Sequence, residues 1–227
     1  MTSGCETRSR GEFGPPHAGF RTVPAQYGFF VNSDACSGCR TCQVACKDRH
    51  DTRAGVHWRR VYEITAGGWQ QKDAAWVPAV AAYYLSVSCF HCQTPVCGQQ
   101  CSTEAIWKRP DGIVLIDETK CTKCHKCEND CPYGAIRWDA DANAVRKCDF
   151  CAEDLDAGQP PACVAACPNR ALDYGEYDDL KQRYGTTSRV FPLADPVVAG
   201  PALVLKPHRH AAAAAARAPD VANWEEV

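Results

Sequence analysis

Residues 121–132 read Cys121-Thr-Lys-Cys124-His-Lys-Cys127-Glu-Asn-Asp-Cys131-Pro132, and residues 36–46 repeat the frame as Cys36-Ser-Gly-Cys39-Arg-Thr-Cys42-Gln-Val-Ala-Cys46. This C-x2-C-x2-C-x3-C spacing is the bacterial run that holds [4Fe–4S] cubanes. Three cysteines two residues apart share a tight loop, so their sulfurs converge on one cubane. The fourth begins a helical turn and points away. In two-cluster ferredoxins it ligates the neighbouring cluster, so motifs work in crossed pairs. Two stretched versions complete the set: Cys89, Cys92, Cys97 and Cys101 have a four-residue middle gap, and Cys148, Cys151, Cys163 and Cys167 an eleven-residue one. Sixteen of the seventeen cysteines fall in these four groups, which predicts four [4Fe–4S] clusters and electron transfer as the function. Only Cys5 is left over, in a polar segment, and it reads as an unliganded surface thiol. Pro132 and Pro168 turn the chain out of two motifs with a preset φ, whereas Lys47 and Ser102 take that place in the others.

Rival thiol chemistries fit less well. Structural zinc wants two separated Cys-x2-Cys pairs converging on one tetrahedral ion, and four runs of this kind do not supply that. A disulfide scaffold suits small secreted domains, yet 227 residues with 45% hydrophobic content can build a core without staples.

The net charge of −2 argues against a generic nucleic-acid binder. Each thiolate-ligated cubane adds roughly two negative charges when oxidised. Arg40, Lys47, Lys120, Lys123, Lys126, Arg146, Lys147 and Arg170 crowd the motifs. Together they are expected to raise the cluster potentials and to help bind an acidic partner surface. No segment reaches the roughly 20 apolar residues that span a bilayer. The best run, Trp76 to Cys89, carries Pro78, Tyr83 and Tyr84 and reads as a strand entering the second motif. The first 25 residues lack the apolar stretch of a signal peptide, and Arg8 and Arg10 are not adjacent as a twin-arginine signal requires. The expectation is membrane association through partner subunits. The chain would lie on the periplasmic face if exported with a signal-bearing partner, and otherwise on the cytoplasmic face.

The chain runs as one cysteine motif per stretch of about forty residues, with short strands between. Gln26–Asn32, Ile113–Ile116 and Ala135–Trp138 read as strands, with Asp111-Gly112 as a turn. Short helices are expected after Cys39, Val96, Lys123 and Pro161, and another from beyond Tyr174 to Tyr184. The stretch from Asp48 to Ala75 reads as an insertion. The predicted fold is α+β, two ferredoxin-like modules built from crossed cysteine-motif pairs. Residues 1–25 are expected as a flexible extension, 26–185 as the double ferredoxin-like domain, and 186–227 as an extended Pro/Ala-rich tail, partner-binding or disordered.

Five further stretches carry a resemblance: Gln26-Tyr-Gly-Phe-Phe30, Trp58-Arg-Arg-Val-Tyr-Glu63, Ala82-Tyr-Tyr-Leu-Ser86, Lys108-Arg-Pro-Asp-Gly112 and Cys131-Pro-Tyr-Gly-Ala135. With the four motifs in order and spacing, they resemble the iron–sulfur subunits of dimethyl sulfoxide reductase, from about Gln26 to Lys206. The wider class serves molybdopterin oxidoreductases acting on thiosulfate, tetrathionate, polysulfide, nitrate or formate. Two departures are Ser102, where the family usually has proline, and the extended N-terminus. The resemblance implies that motif one pairs with motif four and motif two with motif three. One cluster then takes Cys36, Cys39, Cys42 and Cys167, and its neighbour Cys148, Cys151, Cys163 and Cys46. A third takes Cys89, Cys92, Cys97 and Cys131, and the fourth takes Cys121, Cys124, Cys127 and Cys101. Some nitrate-reductase relatives carry tryptophan at position 124 and hold a three-iron cluster; Cys124 argues for four cubanes.

The resulting expectation is a subunit without an active site of its own, relaying electrons from a quinol-oxidising membrane anchor to a molybdopterin catalytic subunit in anaerobic respiration. The resemblance points to dimethyl sulfoxide reductase as that enzyme; the alternatives are the iron–sulfur subunit of a related molybdoenzyme acting on thiosulfate, tetrathionate, polysulfide or formate, and a free-standing polyferredoxin. An iron–sulfur sensor needs an output domain, and none is visible in the sequence.

Overall fold

The computed structural model describes residues 25–227, so Cys5 and residues 1–24 of the expected extension lie outside the described residues. The organising strand is β1 (Tyr27–Asn32), apolar on both faces because it is the middle of a three-stranded sheet. It pairs antiparallel with β8 (Leu172–Glu176) and parallel with β9 (Leu203–Lys206). Side chains alternate across a strand. Phe29 and Val31 therefore enter the main core, while Phe30 points the other way against Leu180 and Val204. Leu180 sits on α6 (Tyr177–Tyr184), which opens with Asp178 and Asp179 and closes with Lys181 and Arg183. That order of charge complements the helix dipole.

Four short helices follow where the motifs predict them. They are α1 (Thr41–Arg49), α2 (Val96–Gln99), α3 (Lys126–Asp130) and α5 (Ala162–Ala165). A further turn, α4 (Ala152–Asp156), fills the long gap of the fourth motif. Helix α1 packs on α5, and α2 on α3, so the first motif meets the fourth and the second meets the third. Two small hairpins brace the second pair: β4 (Ile106–Lys108) with β5 (Val114–Ile116), and β6 (Ile136–Asp139) with β7 (Ala144–Lys147). The turn at Asp111-Gly112 is held by the Asp111 carboxylate, which accepts from the Ile113 amide at 3.1 Å, and Gly112 supplies a φ of 83°.

Two expectations are corrected. The Asp48–Ala75 insertion contributes β2 (Arg60–Lys72), which pairs along its whole length with β3 (Ala75–Val87) in a long hairpin. Its base is buried and its far half stands clear, with Trp69 and Trp76 exposed. Residues 186–227 are not an extended or disordered tail, and the domain does not stop at 185. Leu203, Val204 and Leu205 are buried because β1 needs a neighbour on its second edge, which β9 provides. Helix α7 (Ala211–Ala215) presents methyl groups small enough to lie close on β2 and β3. Strand β10 (Asp220–Val221) then adds to β2.

Candidate metal centres

The sixteen motif cysteines are all described, and none is in a disulfide. Three pockets, mouths included, enclose about 360, 380 and 400 Å³. The first is lined by Cys36, Cys39, Cys42 and Cys167, the second by Cys89, Cys92, Cys97 and Cys131, and the third by Cys101, Cys121, Cys124 and Cys127. In each, three thiols of one motif meet a fourth from its partner. The remaining four, Cys46, Cys148, Cys151 and Cys163, are all buried and lie close enough to feel one another's charge. Three pockets of near-equal size, each lined by four thiols from two chain segments, suit copies of one thiolate-bound group.

The loops share a backbone device that the sequence did not reveal. Gly38, His91, Lys123 and Phe150, each two residues past the first cysteine of its motif, have φ of 71°, 43°, 59° and 67°. A left-handed non-glycine residue costs about 1–2 kcal/mol. Three of the four positions carry that cost, and at two of them the turn aims an amide at sulfur. The Lys123 and Phe150 amides donate to the Cys121 and Cys148 sulfurs at 3.4 Å. A second left-handed residue comes three past the closing cysteine in three motifs: Glu104 at 52°, Gly134 at 55° and Arg170 at 50°. After two of these the next amide turns back, Ala135 to Cys131 at 3.4 Å and Ala171 to Cys167 at 3.3 Å. Such N–H···S bonds favour anionic sulfur and tune cluster potential. The turn after Cys101 has the form of those after Cys131 and Cys167. The amide three residues on reaches back to the cysteine carbonyl at 3.2, 3.1 and 3.2 Å, respectively. Ser102 therefore makes the turn that proline makes elsewhere.

Burial shapes the chemistry of the thiols. It pushes Cys46 and Cys127 up to about 12, and Cys36 and Cys151 up to about 11. Cys92, Cys97 and Cys148 are held well above the ordinary range for the same reason. These are thiols that ionise when a metal takes the proton's place. Cys39 is shifted the other way, lowered by the Thr41 hydroxyl, which donates to its sulfur at 3.3 Å.

Charge couplings give the groups an order. Cys42 of the first pocket feels Cys163, and Cys148 feels Cys89 of the second. Ile106 and Val114 bridge Cys97 to Cys101 and Cys127. Phe150 lies at the middle, stacked on Phe29 with centroids 4.2 Å apart and edge-on to His91 at 5.2 Å. His91 is buried and neutral: burial drives its pKa well down, and its Nδ1 accepts from the Val114 amide at 3.0 Å.

Several residues near the sulfurs escaped the sequence reading. His50 places Nε2 3.5 Å from the Cys151 sulfur and 3.6 Å from the Asp149 carboxylate. Of the expected positive crowd, Arg40 pairs with Glu226 at 2.5 Å, Arg146 with Glu118 at 2.9 Å and Lys120 with Asp117 at 3.6 Å. Those charges are largely neutralised at the surface. Among the described residues the buried cations are Lys147, Arg59 and Arg60, and the last two lie in the stretch read as an insertion. Two arginines opening an apolar, alternating strand were the available signal.

Residues 80–177 match the family described as a 4Fe-4S dicluster domain, which sets the class: an iron–sulfur protein of ferredoxin-like, mixed helix and strand build. Over 187 residues the sequence is 44% identical to the B chain of anaerobic dimethyl sulfoxide reductase from Haemophilus influenzae, covering 82% of this protein and 91% of that one. It is 41% identical to the protein of the same name from Escherichia coli K12 over 205 residues, 90% of this protein and 100% of that one. The B subunit of tetrathionate reductase from Salmonella typhimurium is 31% identical over 163 residues, 71% of this protein and 62% of that one. This protein belongs to the family of iron–sulfur B chains of anaerobic dimethyl sulfoxide reductases, the electron-transferring subunits of molybdoenzymes. Among the described residues no helix is long and apolar enough to cross a membrane.

Proposed function

We propose that this chain holds four [4Fe–4S] clusters in two crossed-pair modules and relays electrons from a quinol-oxidising membrane subunit to a molybdopterin subunit that reduces dimethyl sulfoxide. The assigned ligand sets are Cys36, Cys39, Cys42 and Cys167; Cys46, Cys148, Cys151 and Cys163; Cys89, Cys92, Cys97 and Cys131; and Cys101, Cys121, Cys124 and Cys127. The observation that carries this is the recurrence, in three pockets, of three thiols from one motif with one from its partner. Bound there, the clusters supply one-electron redox chemistry. The chain's own residues fix the ligands, exclude water and set the charge around each site.

The two outer groups suit entry and exit. Cys39 and Cys124 are exposed, while the thiols of the Cys46 group are buried. The first group would face the molybdenum subunit and the Cys124 group the membrane subunit. Dimethyl sulfoxide as terminal acceptor rests on the two dimethyl sulfoxide reductase B chains at 44% and 41% identity. Affinity purification from native membranes tests the assembly. A co-purifying large subunit containing molybdenum and an integral membrane partner support it, whereas a soluble chain with neither would leave a free electron shuttle.

A further inference from the structure

Arg59 is 2% exposed, yet no carboxylate pairs with it among the described residues. Its guanidinium donates to the Ser86 hydroxyl at 3.0 Å and the Ser88 hydroxyl at 2.9 Å, and its Nε has no partner. The Phe29 ring covers it at 4.7 Å. An unpaired cation in the core is costly, and hydroxyl oxygens do not supply the missing negative charge. The groups that do are sulfurs. Those of Cys163, Cys42, Cys148 and Cys46 face the guanidinium, and they carry negative charge once a metal takes the place of their protons. These belong to two of the assigned ligand sets. Ser86 links Arg59 to one of them directly, since its hydroxyl also lies 3.5 Å from the Cys42 sulfur.

We propose that Arg59 is the shared counter-cation of the two clusters assigned to Cys36, Cys39, Cys42 and Cys167 and to Cys46, Cys148, Cys151 and Cys163, and that it holds both reduction potentials up. The inference rests on the four-cluster reading and adds a positioning residue to it. Reduction adds one negative charge to a cluster. A permanent cation shielded from water stabilises that reduced state most where the local dielectric is low. Guanidinium cannot lose its proton in a protein, so this charge is fixed at every working pH. Arg60 does not duplicate the role. It donates to the Tyr133 carbonyl at 3.0 Å, and the motif sulfur that acts on its charge is that of Cys131, of another set.

The test is an anaerobic redox titration of the iron-loaded protein in its native assembly, followed by EPR, on the parent, Arg59→Met and Arg59→Lys. Methionine keeps an unbranched chain without the charge, and lysine keeps the charge without the planar fork. In Arg59→Met two midpoints should fall by at least a tenfold change in equilibrium, about 59 mV for one electron. The midpoint of the cluster marked independently by Cys124→Ser should stay within a threefold change. Arg59→Lys should recover most of the loss. No shift in Arg59→Met, or an equal shift at all clusters, overturns the proposal. If Arg59→Met fails to load iron, Arg59→Lys decides: loading with near-parent midpoints supports a charge requirement, and failure like that of methionine overturns it. A parent holding far fewer than about sixteen irons sinks the four-cluster reading itself, and an unshifted variant of a fully loaded parent sinks only the role of Arg59.

Discussion

The Cys46, Cys148, Cys151 and Cys163 group and the Cys101, Cys121, Cys124 and Cys127 group differ in one respect above all. Every thiol of the first is buried, and none of the second is. Burial decides where each site finds its compensating charge. The outer group sits beside water and exposed lysines, so solvent and salt screen it. The inner group is shut away from water beside His50, and the buried guanidinium of Arg59 reaches it from outside its own motifs. An inner site of this kind is set by the chain, and an outer one by whatever docks on it.

The widest contrast should come from removing one ligand at each place. Cys163→Ser is expected to lose at least one whole cluster, about four irons per chain, and to unfold at markedly lower temperature. Cys124→Ser should lose about one iron and show the EPR signal of an oxidised three-iron cluster while keeping its melting temperature. Equal damage from both would erase the distinction between inner and outer sites.

Next comes the packing that keeps the inner site dry. Phe150→Ala removes a fully buried ring stacked on Phe29, with an expected loss of about 3–5 kcal/mol, read as the denaturant midpoint of the loaded protein. A loss below about 1 kcal/mol would mean that the inner site does not depend on this packing. A smaller, sharper contrast sets two glycines against each other. A Cβ at Gly38, φ 71°, would lie 2.6 Å from the Tyr84 ring, whereas at Gly134, φ 55°, the nearest atom is 3.8 Å away. Gly134→Ala should therefore cost only the left-handed penalty of about 1–2 kcal/mol, and Gly38→Ala clearly more, by the same assay. The smallest effect belongs to Arg49, whose guanidinium meets Asp154 at 2.8 Å on the surface. Arg49→Ala should leave the denaturant midpoint close to the parent's, because solvent screens an exposed pair, and leave iron content unchanged.

The motifs were legible because ligand spacing is a local property. Cysteine intervals alone marked the four loops, and the helices after Cys39, Val96, Lys123 and Pro161 followed from them. Non-local features were hidden. Strand β9 becomes visible only once β1 is known to need a second, parallel neighbour from far along the chain. Alanines 211–215 have no polar face to announce a packed helix, and what buries Ala211 and Ala214 is the hairpin beneath them. The left-handed turns at His91, Lys123 and Phe150 carried no glycine to give them away. Arg59 was missed for a related reason. A charged residue in an apparent insertion reads as surface until the fold closes around it.

The central claim is that the sixteen described cysteines hold four cubanes. Its most direct test is the iron and acid-labile sulfide content of the anaerobically purified protein. About sixteen atoms of each per chain are expected, four per cubane, with negligible zinc. About eight irons would leave half of the thiols without a role, and a zinc-rich, colourless preparation would contradict the account altogether.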